Sequence, residues 1–263
     1  MLGKLLKYDL KWIYSVVIIF YVLAFIFSIM SRICQSINNS LLFTILSQVF
    51  NGIAISMMIS SLINSVMRSW ARFARNIYKD ESYLTHTLPI EKKTIYLSKV
   101  LAAIICAFAT VVVSIVCLFI CYYSKENIDL IKRSLELAAN TYDTTVVNLI
   151  LAISFVFFLE VVFIILIGFV GIIIGHQSNK NKMGKTVIIG FGLYLGTSLL
   201  TLAIVYLVGL FNSDVMNVIN TTAIINTNAI KIIMVIGIIV YLIYNLIYYF
   251  IGKKQFEKGV NVE

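Results

Sequence analysis

The chain has 263 residues, of which 60% are hydrophobic and 13% are charged, and its formal net charge is +9. Soluble globular domains have roughly a quarter charged residues, so this composition excludes a water-soluble fold, a disordered chain and a disulfide-stapled secreted protein. The apolar runs are long and unbroken, which favours an all-α, polytopic membrane protein over a barrel of short alternating strands.

Six segments are long and apolar enough to cross a bilayer core of about 30 Å, which takes roughly 20 helical residues. They cover about 12–30, 41–67, 100–123, 146–175, 187–211 and 230–251. Because no repeat and no internal linker separates them, we predict six transmembrane helices in a single transmembrane domain over 1–263.

Leucines and lysines share the segment that precedes the first span: Leu2, Leu5 and Leu6 against Lys4, Lys7 and Lys11. This pattern predicts an N-terminal amphipathic interfacial helix in the inner headgroup layer. A frayed, charged terminus is the alternative.

The basic residues are unevenly divided between the two sides of the predicted membrane. If the spans alternate in direction, 16 of the 21 Lys and Arg residues lie on the side of the N-terminus. The positive-inside rule then places both termini of this multi-pass protein in the cytoplasm. Because most basic residues flank the apolar spans in this way, topology alone explains the net positive charge, and we expect no nucleic acid as a partner.

Two spans carry polar groups that lipid cannot satisfy. One helical face of the second span collects Thr44, Ser47, Gln48 and Asn51. That face should meet protein or water, so Gln48 and Asn51 are candidate pathway-lining residues. Glu160 is an acidic residue deep inside the fourth span, and three roles remain open for it: a hydrogen-bonded structural residue, a pathway lining, or proton coupling.

Glycines recur at a spacing of four residues in the fourth and fifth spans, at Gly171 and Gly175 and again at Gly192 and Gly196. Such pairs permit close helix packing, either within one subunit or between two subunits.

No pattern predicts catalysis or a metal site in this chain. Residues 184–186 read Gly-Lys-Thr, but the glycine that a phosphate loop needs at position 179 is Asn179. Neither His86 nor His176 has a partner at metal-ligand spacing, and the cysteines form no such motif. An intramembrane enzyme would need a second ionisable group facing Glu160, so it stays the alternative.

The connection between the second and third spans, residues 68–99, is the most informative stretch. Asp80 can cap a short helix over about 81–87. Leu88 precedes proline and is pushed out of the helical region, and Pro89 suits the first position of the next helix, with Glu91 in its first turn. The sequence predicts a short helix that breaks sharply before a second helix runs into the membrane.

Tyr83, Leu84 and Leu88 give that short helix an apolar face which a small polar loop cannot bury. We interpret it as a docking helix for a cytoplasmic partner, with Asp80 and Glu81 steering it onto basic residues. Packing of this face against the chain's own inner helix ends is the alternative.

The loop resembles that of ABC-2-type permease subunits common in Gram-positive bacteria, which have a type V exporter-like fold. The resemblance rests on Tyr78-Lys-Asp-Glu-Ser-Tyr-Leu-Thr-His-Thr-Leu-Pro89 and on Leu97-Ser-Lys99. Ser82 stands where the family usually has glycine. The match implies a coupling helix within 76–90 and ATPase docking through Tyr78, Asp80, Glu81, Tyr83, Leu84, Leu88 and Pro89.

The same resemblance implies partners. They are two ABC ATPase subunits, which bind ATP and Mg, and a second permease that is identical or homologous to this chain. The expected substrate is amphipathic or hydrophobic, such as a peptide, a bacteriocin-like toxin or a drug. A non-transporting sensor or immunity subunit is a further alternative.

Overall fold

Every element in the described part of the chain is a helix. The computed structural model describes residues 1–37, 40–79, 81–87, 89–122, 129, 133, 135–136, 139, 144–178, 180–220 and 227–258. In chain order the helices are α1 (Leu2–Ser36), α2 (Leu41–Tyr78), α3 (Ser82–His86), α4 (Lys92–Tyr122), α5 (Val146–His176), α6 (Lys182–Phe211), α7 (Ser213–Asn220) and α8 (Thr227–Glu257).

Six of these helices are long and apolar enough to cross a membrane, namely α1, α2, α4, α5, α6 and α8. This number confirms the six predicted spans and indicates a multi-pass membrane protein. Helices α1 and α2 have 35 and 38 residues, well beyond the roughly 20 that a bilayer core requires. The expected amphipathic segment is the first part of α1, which runs from Leu2 to Ser36 without a break.

The helices pack into two compact units, Met1–Ile131 and Lys132–Glu263. Unit 1 contains α1 to α4, and unit 2 contains α5 to α8. The division describes packing within each half, so the single transmembrane domain over 1–263 stays a prediction.

In unit 1, α1, α2 and α4 meet through small side chains. One cluster joins Ala24, Ala54 and Cys117, and another joins Val17 and Ala102. Small residues let helix backbones approach closely where hydrocarbon offers no hydrophobic drive for association. The free cysteines Cys106, Cys117 and Cys121 are all buried in this packing.

In unit 2, α5 is the central helix and packs against α6 at its glycines. A Cβ atom at Gly171 would lie 3.1 Å from the Cα of Gly190, and one at Gly175 would lie 2.7 Å from the amide nitrogen of Thr186. Gly192 and Gly196 face open space, with no atom within 4 Å of a Cβ built on either. The close approach therefore uses Gly190 in place of the second predicted pair.

The loop between α2 and α4 contains the predicted short helix. α3 spans Ser82–His86, within one residue of the expected 81–87 at each end. Helix α4 begins at Lys92, so the expectation that Pro89 opens it is wrong. The carbonyl oxygen of Glu91 accepts bonds from the amides of Thr94 and Ile95, which leaves Pro89 in the preceding turn. Asp80 and Leu88 lie outside the described residues.

Candidate functional site

Four segments of unit 1 converge around one buried carboxylate at the end of the unit that carries α3. Asp9 of α1 is 1% exposed. Its Oδ1 atom lies 2.5 Å from the Nζ of Lys99 and 2.9 Å from the Nε of Arg72, while Ser98 donates a hydrogen bond of 3.0 Å to Oδ2. A buried charge is tolerated when it is paired and hydrogen-bonded, and Asp9 meets that condition with three donors.

Arg72 extends the network from Asp9 to the start of α3. Its Nη1 atom lies 2.5 Å from the Oε2 of Glu81, while its Nε holds Asp9. One guanidinium thus joins α1 to the loop, as its planar set of donors allows. We call Asp9, Arg72, Arg75, Glu81 and Lys99 the charge network.

Glu81 receives two further groups from α2. The amide of Asn76 donates to Oε2 at 3.1 Å, and the Nε of Arg75 lies 3.3 Å from Oε1. Burial alone raises the pKa of the Glu81 carboxyl, but the hydrogen bond from Asn76 and the charges of Arg72 and Arg75 outweigh it and lower the pKa below 4.5. Glu81 therefore anchors α3 internally, although it was expected to contact a partner.

Trp12 of α1 supports the same end of unit 1. The guanidinium carbon of Arg68 lies 3.8 Å from the Trp12 ring centroid. Arg68 also donates hydrogen bonds to the Trp12 carbonyl and to the Ser15 hydroxyl, at 3.1 and 3.0 Å. Cation–π contact together with hydrogen bonds fixes α1 against α2.

Tyr78, one of the expected docking residues, belongs to a buried aromatic cluster with Phe73 and Tyr96. Tyr78 is 1% exposed, and its ring packs 6.4 Å from that of Phe73. Phe73 in turn packs edge-to-face against Tyr96 of α4, with the centroids 6.2 Å apart. A side chain buried this deeply supports the loop from within, so the expectation that Tyr78 contacts a partner is wrong.

The two faces of α3 differ sharply in exposure. Tyr83 and Leu84 are 73% and 65% exposed, whereas Ser82 and Thr85 are buried. The Thr85 hydroxyl donates to the carbonyl of Glu81, and the His86 ring lies 3.2 Å from the carbonyl of Ile77. The inner face of α3 is therefore held by hydrogen bonds, while an aromatic and an aliphatic side chain project outward. Pro89 is exposed as well.

Local sequence patterns do not predict the charge network, although one signal is present. Asp9 is the only acidic residue before Asp80, in a segment that is otherwise basic and apolar. Its partners Arg72 and Lys99 follow 63 and 90 residues later. Local patterns cannot pair residues at such separations.

The candidate pathway residues fall in both units. Gln48 is exposed and Asn51 half-buried on α2, while Glu160 is half-buried on α5. Ser47, on the same face as Gln48, accepts a hydrogen bond at its carbonyl from Ser31 of α1 at 3.1 Å. Part of the predicted polar face therefore meets protein.

Among the described residues, no group of three or more His, Cys, Asp or Glu side chains is arranged to hold a metal ion. Comparison with known proteins found no match for this chain among family models, curated proteins or solved structures.

Proposed function

We propose that the chain is the permease subunit of an ATP-binding-cassette exporter and that α3 is the helix on which its ATPase docks. The observation that carries the proposal is the outward projection of Tyr83 and Leu84 from a helix whose other face is anchored. Leaving apolar area in water is unfavourable by about 25 cal/mol per Å², so a groove on a partner explains the pair. The resemblance of residues 78–89 to ABC-2 loops supports the same partner.

The proposed assembly contains two ATPase subunits, which bind ATP and Mg, and a second permease. It resides in a bacterial cell membrane with both termini of this chain in the cytoplasm. The 16 of 21 basic residues on one side of the alternating spans support that orientation. The substrate class is amphipathic or hydrophobic, with Gln48, Asn51 and Glu160 lining its path.

The charge network supplies a route by which the ATPase moves the spans. A displacement of α3 pulls on Glu81, which is joined to α2 through Arg72. Arg72 shares Asp9 of α1 with Lys99 of α4. Motion of the docked helix is thereby passed to three spans at once, which suits an alternating-access cycle. Glu81 and Asp9 act here as positioning residues, whereas Tyr83 and Leu84 make the contact.

The test is to co-express this chain with the reading frames that neighbour it and to ask whether an ABC ATPase co-purifies with it. Interface anchors commonly lose about 2 kcal/mol or more on truncation, which is roughly thirtyfold in affinity. We expect Tyr83→Ala with Leu84→Ala to insert into the membrane normally and to lose most of the bound ATPase. Tyr8→Ala is the matched control, because Tyr8 is 64% exposed on α1.

A double variant that keeps its ATPase at the wild-type level and still transports would refute docking through α3. A wild-type chain that holds the ATPase but moves no substrate would instead be a sensor or immunity subunit.

A further inference from the structure

Glu160 is an isolated carboxylate in the middle of an apolar helix. It is the only acidic residue within the six predicted spans. At 1.5 Å per residue, it lies roughly 20 Å from either end of α5 (Val146–His176). An ionisable group at that depth is expensive to bury and is commonly functional.

Helix α8 packs two polar side chains against the stretch of α5 that contains Glu160. The Asn245 amide donates a 3.1 Å hydrogen bond to the carbonyl of Leu159, the residue that precedes Glu160. The Oδ1 atom of Asn245 is buried and receives no hydrogen bond from the described residues. Tyr241, one turn earlier on α8, packs its ring 5.5 Å from that of Phe163, which follows Glu160 by three residues on α5.

An aromatic cluster fixes Tyr241 in this position. The buried Phe163 ring lies 5.5 Å from Tyr241 in edge-to-face geometry and 5.6 Å from Tyr244 in a stacked arrangement. The hydroxyl of Tyr244 in turn accepts a 3.2 Å hydrogen bond from Thr201 of α6. Three helices of unit 2 therefore hold the rings in place around Phe163, three residues after Glu160.

Glu160, Asn245 and Tyr241 each present a group that attracts positive charge. The Glu160 carboxylate and the Asn245 carbonyl oxygen both accept hydrogen bonds, and aromatic faces carry negative quadrupole potential that attracts cations. No Lys or Arg occurs within 146–175, 187–211 or 232–252. An anionic ligand would find no opposite charge in these segments, whereas a cation would neutralise Glu160 and stack on the rings.

We propose that Glu160, Tyr241 and Asn245 form a membrane-embedded site for a lipophilic organic cation. The site accepts a ligand whose positive charge is shielded by apolar groups, since the ligand must enter a segment lined by hydrocarbon side chains. That this cation is the exported substrate rests on the proposed exporter function, but its binding does not require the ATPase.

The experiment measures binding of tetraphenylphosphonium to the full chain in lipid nanodiscs, without any ATPase. Tetraphenylborate is the matched probe, because it has nearly the same size and shape with the opposite charge. We expect saturable binding of the cation only, weakened about tenfold or more by Glu160→Gln, since a lost charge pair of 1.4 kcal/mol corresponds to a factor of ten.

Two further variants separate the ring from the charge. Tyr241→Leu should weaken cation binding about three- to tenfold, and Tyr241→Phe should leave it nearly unchanged, because a cation–π contact needs only the ring. Asp214→Asn, on α7 outside the predicted spans, is the control for general electrostatic attraction and should bind like the wild type. Helix content and elution profile verify that each variant is folded.

Equal binding of the two probes to the wild type would overturn the proposal, and that measurement depends on no variant. Equal losses in Glu160→Gln and Asp214→Asn would also overturn it. Cation binding that persists while the ATPase fails to co-purify would refute the exporter and leave the site intact. An ATPase-bound chain without saturable cation binding would do the reverse.

Discussion

Two carboxylates in this molecule sit inside helices and illustrate opposite solutions to the same physical problem. Asp9, in unit 1, is met by Lys99, Arg72 and Ser98 within 3.0 Å. Glu160, in unit 2, lies three residues before Phe163, whose ring contacts that of Tyr241, in segments that contain no Lys or Arg. A carboxylate whose partners are all supplied by the chain holds helices together. One that lies near aromatic faces, in segments without Lys or Arg, can instead take up a positive charge from outside.

Removal of the Asp9 carboxylate is expected to have the largest effect on stability. Asp9→Ala leaves the buried Lys99 ammonium and Arg72 without their shared acceptor, and breaking a buried pair from one side costs about 3–5 kcal/mol. We expect a loss of that size in the free energy of unfolding, measured by denaturant titration in detergent. Glu91→Ala is the control, because the Glu91–Lys93 pair is largely exposed at 2.9 Å and surface pairs contribute about 0–1 kcal/mol.

Adding Lys99→Met to Asp9→Ala should recover part of the stability, since the double change removes the uncompensated charge as well. If the loss of unfolding free energy in the double variant equalled the sum of the losses in Asp9→Ala and Lys99→Met alone, Asp9 and Lys99 would contribute independently.

The glycine contact of unit 2 provides the next test. In Gly175→Ala, the new methyl carbon would lie 2.7 Å from backbone atoms of Thr186, so α5 and α6 must separate. Such overpacking costs about 1–3 kcal/mol. Gly196→Ala introduces its methyl into open space and should leave the unfolding free energy unchanged or slightly higher, because alanine is the better helix former. Thermal unfolding followed by size-exclusion chromatography compares the two, and similar losses in both would contradict the packing described for α5.

The smallest expected effect concerns Glu81, whose ion pairs depend on pH. Its folded-state pKa lies below 4.5, so its ion pairs stabilise the loop above that pH. The stabilisation is lost as pH falls through the folded pKa. We expect the wild type to exceed Glu81→Gln by about 0.5–1 kcal/mol at pH 7, the range of partly exposed pairs. Unfolding of both proteins at pH 7 and at pH 3 measures the difference in their unfolding free energies. A difference that stayed constant down to pH 3 would show that the charge of Glu81 contributes nothing.

The spans and the short helix were predictable because their signals are local. A run of apolar residues in the sequence corresponds to each long helix, and α3 appears where a polar loop contains Tyr83 and Leu84. The exposure of those two side chains also follows from sequence, since a five-residue helix has too little neighbouring chain to cover both faces.

The rest depended on contacts between distant residues. Tyr78 is an aromatic residue in the docking loop, but it is buried against Phe73 of its own helix, and Phe73 in turn packs against Tyr96 of α4. Whether a glycine meets a neighbouring helix depends on that helix's rotation, so Gly175 is packed against Thr186 while Gly196 is open. Residue spacing along one helix contains no information about the rotation of another.

The separation of Asp9 from Lys99 has a consequence for biosynthesis. Lys99 follows Asp9 by 90 residues, which at about 5–20 residues per second takes the ribosome roughly 5 to 20 seconds. During that interval α1 and α2 can pair through Arg72, but the second cation of Asp9 does not yet exist. The carboxylate thus receives its full complement of charge only when the first turns of α4 have been made. A nascent chain that stops before Lys99 leaves the Asp9 carboxylate incompletely neutralised. An unfinished unit 1 therefore differs from the finished one in the charge balance at Asp9.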